Sequence, residues 1–284
     1  VDGGGLDLAS DLLLQRDGKI VAIGGTRAAG KSFGFSALRF TPDGSLDRSF
    51  GTGGRVVVDV TPRDEVAAAG ALDGDRIILV GSGTGISSDF EIVRLDAGGQ
   101  RDTAFGAARD GTVVSGFIGP DEYFMTDAEV RTDGGTLTVG VRRGSDVDYY
   151  PEAQLVAFNA DGSPDLQFGV GGVVRFRIGG RATQPKLQFM ADNSFVVVDV
   201  VDQAINYPPF QGRTVLARFK PDGSPDLAFG PDHSGQVQTR FVTDFGGDHA
   251  ALAIDRAGRV VVVAPEITGS TVARYNADGT RDAA

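Results

Sequence analysis

The chain has 284 residues, and its 38 Asp and Glu outnumber its 27 Lys and Arg to give a net charge of −11. That balance argues against nucleic-acid backbones and anionic membrane surfaces as partners, because both are gripped by clustered positive charge. With no cysteine, disulfides and thiolate metal sites are excluded as well.

The 42 glycines and 12 prolines are spread along the chain, the composition of many short strands joined by turns. No stretch keeps apolar residues at helical spacing over three turns, and no apolar run approaches the length of a membrane-spanning helix. The chain starts at Val1 with no basic-then-apolar leader, so it reads as a processed product or a fragment.

In chain order, the first unit (1–60) contains "QRDGKIVAIGG" at 15–25 and "FTPDGSLDRSFGTGGRV" at 40–56. Between them, "GTRAAGKS" at 25–32 matches the phosphate-loop pattern through Gly25, Gly30, Lys31 and Ser32. A phosphate loop must open a helix so that backbone amides converge on the anion. Here the apolar "FGFSALRF" follows, which reads as a strand, so the match is expected to be a hairpin loop and no nucleotide cofactor is expected.

The second unit (61–117) shows the grammar most plainly. Strands a, b, c and d are expected at "VAAAGAL" (66–72), "RIILVGS" (76–82), "FEIVRL" (90–95) and "GTVVSGF" (111–117), bounded by Asp-Gly and similar turn signals. The third (118–178), fourth (179–242) and fifth (243–284) units repeat the plan, with "FNADGSPDLQFGVGGVV" at 158–174 and "FKPDGSPDLAFG" at 219–230. The marker Asp47 recurs as Asp102, Asp165, Asp226 and Asp282, at intervals of 55, 63, 61 and 56 residues. Four-stranded units at such a period stack as blades. The expected fold is therefore one all-β domain over 1–284, a β-propeller of five blades, with the last blade incomplete because the chain stops at "RDAA".

Phe50, Phe105, Phe168 and Phe229, each followed by Gly, are expected as wedges between blades. In "DGSLD" the Asp and Gly supply tight-turn conformations, and Asp47 is expected to accept hydrogen bonds from nearby amides. Calcium binding by Asp43, Ser45 and Asp47 is the weaker alternative, since the stretch lacks the rest of a calcium loop.

The units resemble the delta-60 repeats of bacterial surface and secreted proteins, and more distantly NHL repeats. The residues that carry the likeness are "LQRDGKIVAIGG", "ALRFTPDGSLDRSFGTGGRV", "FNADGSPDLQFGVGGVV" and "ARFKPDGSPDLAFG". The resemblance implies a propeller and export to the cell surface or medium. It implies no set of catalytic residues.

Two histidines, His233 and His249, are too few and too far apart for a histidine zinc site, so no metal is expected. The a–b and c–d turns repeat from unit to unit, whereas the b–c and d–a loops vary in length and content. Function commonly resides in variable loops on a rigid scaffold. Tyr123 and Phe124 fall in the d–a stretch "IGPDEYFMTD", Tyr149 and Tyr150 in the third unit's b–c loop, and Tyr207 and Phe210 in the fourth's. Tyrosine pairs apolar area with a polar handle, so these six are the expected ligand-binding residues. The expected function is a non-enzymatic, exported binding or scaffold module that recognises a protein or carbohydrate partner. The alternative is a polysaccharide hydrolase or lyase using Asp64, Glu65, Asp248 and His249 where the fourth strand passes into the next unit's first. A structural segment of a larger surface protein is a third reading. A perturbed carboxylate deep in the axial mouth is the sign that would favour the enzyme, and an aromatic shelf with no such group the binder.

Overall fold

The computed structural model describes residues 5–28, 32–83, 90–114, 122–143, 152–177, 184–202, 212–239, 250–266 and 269–282. All of their regular structure is strand, in five antiparallel sheets. The first sheet is β1 (Gly5–Leu14), β2 (Ile20–Ala28), β3 (Phe33–Phe40) and β4 (Arg55–Val58). The second is β5 (Glu65–Asp73), β6 (Arg76–Gly83), β7 (Phe90–Leu95) and β8 (Thr112–Val114). The third is β9 (Glu122–Val130), β10 (Thr136–Arg143), β11 (Glu152–Phe158) and β12 (Val173–Phe176). The fourth is β13 (Lys186–Phe189), β14 (Phe195–Asp202), β15 (Gly212–Phe219) and β16 (Gln236–Gln238). The fifth has three strands, β17 (Ala251–Ile254), β18 (Val260–Glu266) and β19 (Gly269–Tyr275). Strand order follows chain order in every sheet, so each is a meander, the blade unit of a propeller.

The chain forms two compact units, Val1–Thr138 with Phe158–Pro164, and Val139–Ala157 with Asp165–Ala284. In the first unit, β6 runs Ile77, Ile78, Leu79, Val80 with all four side chains buried. A half-exposed strand would alternate apolar with polar, whereas a strand covered on both faces stays apolar throughout. The unbroken run therefore records that this blade is packed on both sides. The fourth strands are short, at three or four residues in the four sheets that have one, and short edge strands offer little template for unwanted pairing.

The repeated segment is a latch between successive blades. In the first unit the Gly51 N–H donates to the Gly98 carbonyl (2.7 Å) and the Gly106 N–H to the Asp161 carbonyl (2.8 Å). In the second unit Gly169 donates to Asp222 (2.9 Å) and Gly230 to Asp278 (2.8 Å). The Phe before each donor is buried, as expected of a wedge. Its ring lies against the turn glycine of the next blade: a Cβ on Gly99 would stand 2.7 Å from the Phe50 ring, and one on Gly223 2.8 Å from Phe168. Gly99 and Gly223 both have φ of +83°, a conformation that side-chain-bearing residues disfavour. Glycine is thus required there twice, for the backbone and for the ring.

The latch has a second half that the sequence reading missed. Arg39 donates through Nε to Asp47 (2.8 Å) and through Nη1 to the Ala97 carbonyl of the next blade (2.6 Å). Its guanidinium lies 4.5 Å from the centre of the Phe50 ring. Arg94 repeats all three contacts, with Asp102 (2.9 Å), the Ala160 carbonyl, and the Phe105 ring (4.4 Å). In the second unit Arg218 pairs with Asp226 (3.3 Å) and donates to the Ala277 carbonyl (2.7 Å). The marker Asp divides its oxygens: one takes the amide two residues on (Ser49, Ala104, Gln167, Ala228), as expected, and where an Arg is present the other takes the guanidinium. The third blade has Ala157 where the others have Arg, and keeps only the Phe-Gly half. The carboxylates of Asp43 and Asp47 are engaged by Thr41, Ser45, Ser49 and Arg39.

The "GTRAAGKS" segment joins β2 to β3, so a strand stands where a phosphate loop needs its helix. Among the described residues, no helix is long and apolar enough to cross a membrane.

Arg94 is 3% exposed, and removing one partner of a buried ion pair leaves the other charged and unpaired. Arg94→Ala should therefore lower stability by about 3 kcal/mol, whereas Arg48→Ala, on an exposed residue, should change it by less than ~0.5 kcal/mol. Urea denaturation of the two variants checks the difference. A second expectation concerns acid. The Ser49 hydroxyl and amide, then Arg39, hold the Asp47 carboxyl well below its ordinary 3.8. Stability from a depressed carboxyl is present above the unfolded value and is lost as pH falls through the folded one. Asp47→Asn should accordingly blunt the loss of stability below about pH 4, read as a smaller shift of the urea midpoint on acidification.

Candidate active site on the inner strands of the first unit

The first strands of the first three blades lie side by side in the first unit, β1 against β5 and β5 against β9. At its middle β5 reads Ala67, Ala68, Ala69, Gly70, Ala71, so no side chain there extends beyond Cβ. Carboxylates flank this low strip on both sides: Asp11 on β1, and Asp127 and Glu129 on β9.

Asp11 directly follows an irregularity in the pairing of β1 with β2, between Ala9 and Asp11, and β5 has the equivalent shift between Ala67 and Ala69. Such bulges re-aim the side chains beside them. Asp11 accepts hydrogen bonds from the Leu12 N–H (2.7 Å) and, across the blade boundary, from the Gly70 N–H (3.2 Å). The carboxylate is thus tied to the strip rather than free to swing away.

Glu129 behaves differently. Burial, then the negative charges of Asp127 and Asp11, push its carboxyl up to about 7. A carboxyl that keeps its proton to near neutrality, with further carboxyl groups beside it, suits acid–base cleavage of a glycosidic bond. Glu129 is a residue that the reading of the sequence did not single out. The signal was available: β9 places Glu129 where β1 has Leu13, two residues before the same turn.

The residues singled out from the sequence are placed as follows. Glu65 is fully buried and its two oxygens take the amides of Val60 (2.8 Å) and Thr61. Asp64 accepts from the Phe33 N–H (2.7 Å). The Glu65 carboxylate thus organises the turn that delivers the chain to β5. Tyr123 and Phe124, expected in a loop, are the second and third residues of β9, and the Tyr123 side chain is buried. The strand starts before them, at Glu122, because the alternation Tyr123, Met125 continues the buried face of β9 outward. Tyr149, Tyr150, Tyr207, Phe210, Asp248 and His249 lie outside the described residues.

A family model described as "Domain of unknown function (DUF5122) beta-propeller" matches residues 15–50, 75–105 and 211–229. No curated protein matches the chain. Among solved structures it resembles an alpha-L-arabinanase from Penicillium chrysogenum complexed with arabinobiose, at 13% identity and a TM-score of 0.55, covering 95% of this chain and 78% of that one. It also resembles the GH93 alpha-L-arabinofuranosidase of Fusarium graminearum with arabinobiose, at 10% identity and a TM-score of 0.54, covering 95% and 81%. A third is polysaccharide lyase Uly1, at 12% identity and a TM-score of 0.54, covering 98% and 60%. At these identities the likeness is one of fold. The expectation of a non-enzymatic binding module is corrected, because these propellers are carbohydrate-cleaving enzymes and favour the hydrolase or lyase alternative.

A raised carboxyl has a measurable cost. Glu129 is protonated in the folded chain up to about 7, against an ordinary 4.5. Stability from a raised group is complete below the unfolded value and is lost as pH climbs through the folded one. Wild type should lose stability between pH 4.5 and 7, and Glu129→Gln should flatten that loss. Urea midpoints across the window check it.

Proposed function

We propose that this chain is a polysaccharide hydrolase whose reacting carboxylates are Glu129, Asp127 and Asp11. The observation that supports the reading is their convergence on the small-residue strip of β5. Glu129 acts as general acid: it gives its proton to the glycosidic oxygen as the bond to the anomeric carbon breaks. The Asp127 side chain faces the positive charge that develops at that carbon, and a water molecule completes the exchange, its hydroxyl going to carbon and its proton to a carboxylate. Asp11, held by the Gly70 amide, sustains the field that keeps Glu129 protonated.

Hydrolysis is favoured over elimination by charge. A lyase must receive a uronate and neutralise its carboxylate, and an acidic site with no basic residue assigned to it, in a chain of net charge −11, repels such a substrate. Neutral polymers remain, and arabinan is the first to test, since two of the similar structures hold arabinobiose. A polymeric substrate is met outside the cell, which agrees with the export implied by the delta-60 resemblance.

Reducing-end assays on arabinan and a panel of other neutral polysaccharides test the proposal. Wild type should release sugar, with kcat/KM falling as pH rises through about 7. Glu129→Gln, folded as judged by circular dichroism, should lose roughly 10²- to 10⁴-fold in rate. Absence of cleavage on every polymer, or a Gln variant as active as wild type, would sink it.

A further inference from the structure

The third blade departs from the repeat at one cross-strand pair. The residue eleven before the marker Asp is Ser36, Glu91, Gln154 and Val215 in the first four blades. Its partner on the fourth strand is Val57, Val114, Arg175 and Gln238 in turn. Only in the third blade does an amide stand opposite a guanidinium. Residues two apart on a strand share a face, so Glu152 lies beside Gln154 and Arg177 beside Arg175. The Glu152 carboxylate accepts from Arg142 Nη1 (3.2 Å) and from Arg177 Nε (2.8 Å). Three arginines therefore gather around a single glutamate, in a chain whose net charge is −11. All five residues belong to the second unit.

Gln154 is fully buried, and its two amide atoms fare differently. Oε1 accepts from Arg175 Nε (3.3 Å), whereas Nε2 has no hydrogen-bond partner. Turning the amide over would set its N–H groups against the Arg175 N–H, so the missing partner is an acceptor. A buried amide left without one costs stability. Arg175 is exposed on β12, the edge strand of its sheet, and among the described residues its other guanidinium donors have no partner. The end of β12 is held from the fourth blade, where Gln236 Nε2 donates to the Arg177 carbonyl (3.4 Å).

We propose that Gln154 and Arg175 form an oxyanion-binding site on the third blade, for a carboxylate, sulfate or phosphate group. A guanidinium edge matches two oxygens of such a group, and the buried Gln154 amide supplies a further donor. Glu152 fixes Arg142 and Arg177 while neutralising only one positive charge, so the surroundings stay cationic. Two independent observations meet here: a local excess of arginine against the charge of the whole chain, and a buried donor without an acceptor. The proposal stands independently of the catalytic reading.

Its test is calorimetric titration of the full chain with sodium glucuronate, sulfate and phosphate as separate probes, at constant ionic strength set with sodium chloride. At least one probe should bind at a single site per chain, and which one binds identifies the source of the oxyanion. Arg175→Ala and Gln154→Leu should each weaken that binding roughly tenfold or more, while Arg48→Ala should leave it unchanged. Without any probe, the urea midpoint of Gln154→Leu should equal or exceed that of wild type, since an unpaired buried amide has been removed. That midpoint also shows whether the variant folds. Binding of no probe overturns the proposal, as does equal binding by wild type and Gln154→Leu. A lower midpoint for Gln154→Leu would also overturn it, because the amide would then already be partnered in the folded chain.

Discussion

A guanidinium cannot be buried cheaply, and the latch is organised around that fact. Arg94 sits almost out of reach of water with Nε on Asp102, Nη1 on a carbonyl of the following blade, and its face on Phe105. Each contact answers a separate demand: the carboxylate for charge, the carbonyl for a remaining donor, the ring for the planar face. A buried ion pair often contributes little net stability against an apolar replacement, while breaking one partner is costly. Its effect here is specificity. Arg, Asp, Phe-Gly and the turn glycine fit only when the next blade presents its own turn at the right height, so the repeat sets blade spacing by chemistry rather than by greasy contact alone.

That fixed spacing matters for the candidate site, because like charges relax apart when their frame permits. Asp11 and Glu129 belong to strands two blades apart, with the Ala-rich β5 between them. Asp11 is fastened to β5 by the Gly70 amide. Between the first and second blades, and again between the second and third, the Arg-bearing latch is complete. Burial first, and then the charges of Asp127 and Asp11, raise the carboxyl of Glu129, and the latched blades hold that arrangement together. The inner strands supply chemistry, and the latches supply the compression.

Much of the fold was legible. Strands proposed at 66–72, 76–82 and 90–95 correspond to β5, β6 and β7, because an apolar run flanked by Asp-Gly turns admits few other readings. The Phe wedges were legible for the same reason. What escaped was the Arg eight residues before the marker Asp, in 39/47, 94/102, 218/226 and 274/282. A charged residue inside a strand reads as outward-facing unless its partner is known, and that partner lies across a turn. Glu129 escaped because the repeat drew attention to what recurs, whereas a site is a departure from it. Tyr123 misled through its neighbours: Gly119, Pro120 and Asp121 look like a loop, but β9 begins immediately after them.

The most direct test of the latch is amide hydrogen exchange at Gly51, Gly106, Gly169 and Gly230, whose N–H groups each bond to the following blade rather than within their own sheet. If the latch sets blade spacing, these four amides, although they sit in turns, should exchange as slowly as the central strands β6 and β14, opening only when the blades unfold. Exchange at the rate of the exposed turn amides of Gly44 and Gly53 would contradict the account, and would mean that the blades are held by apolar packing alone.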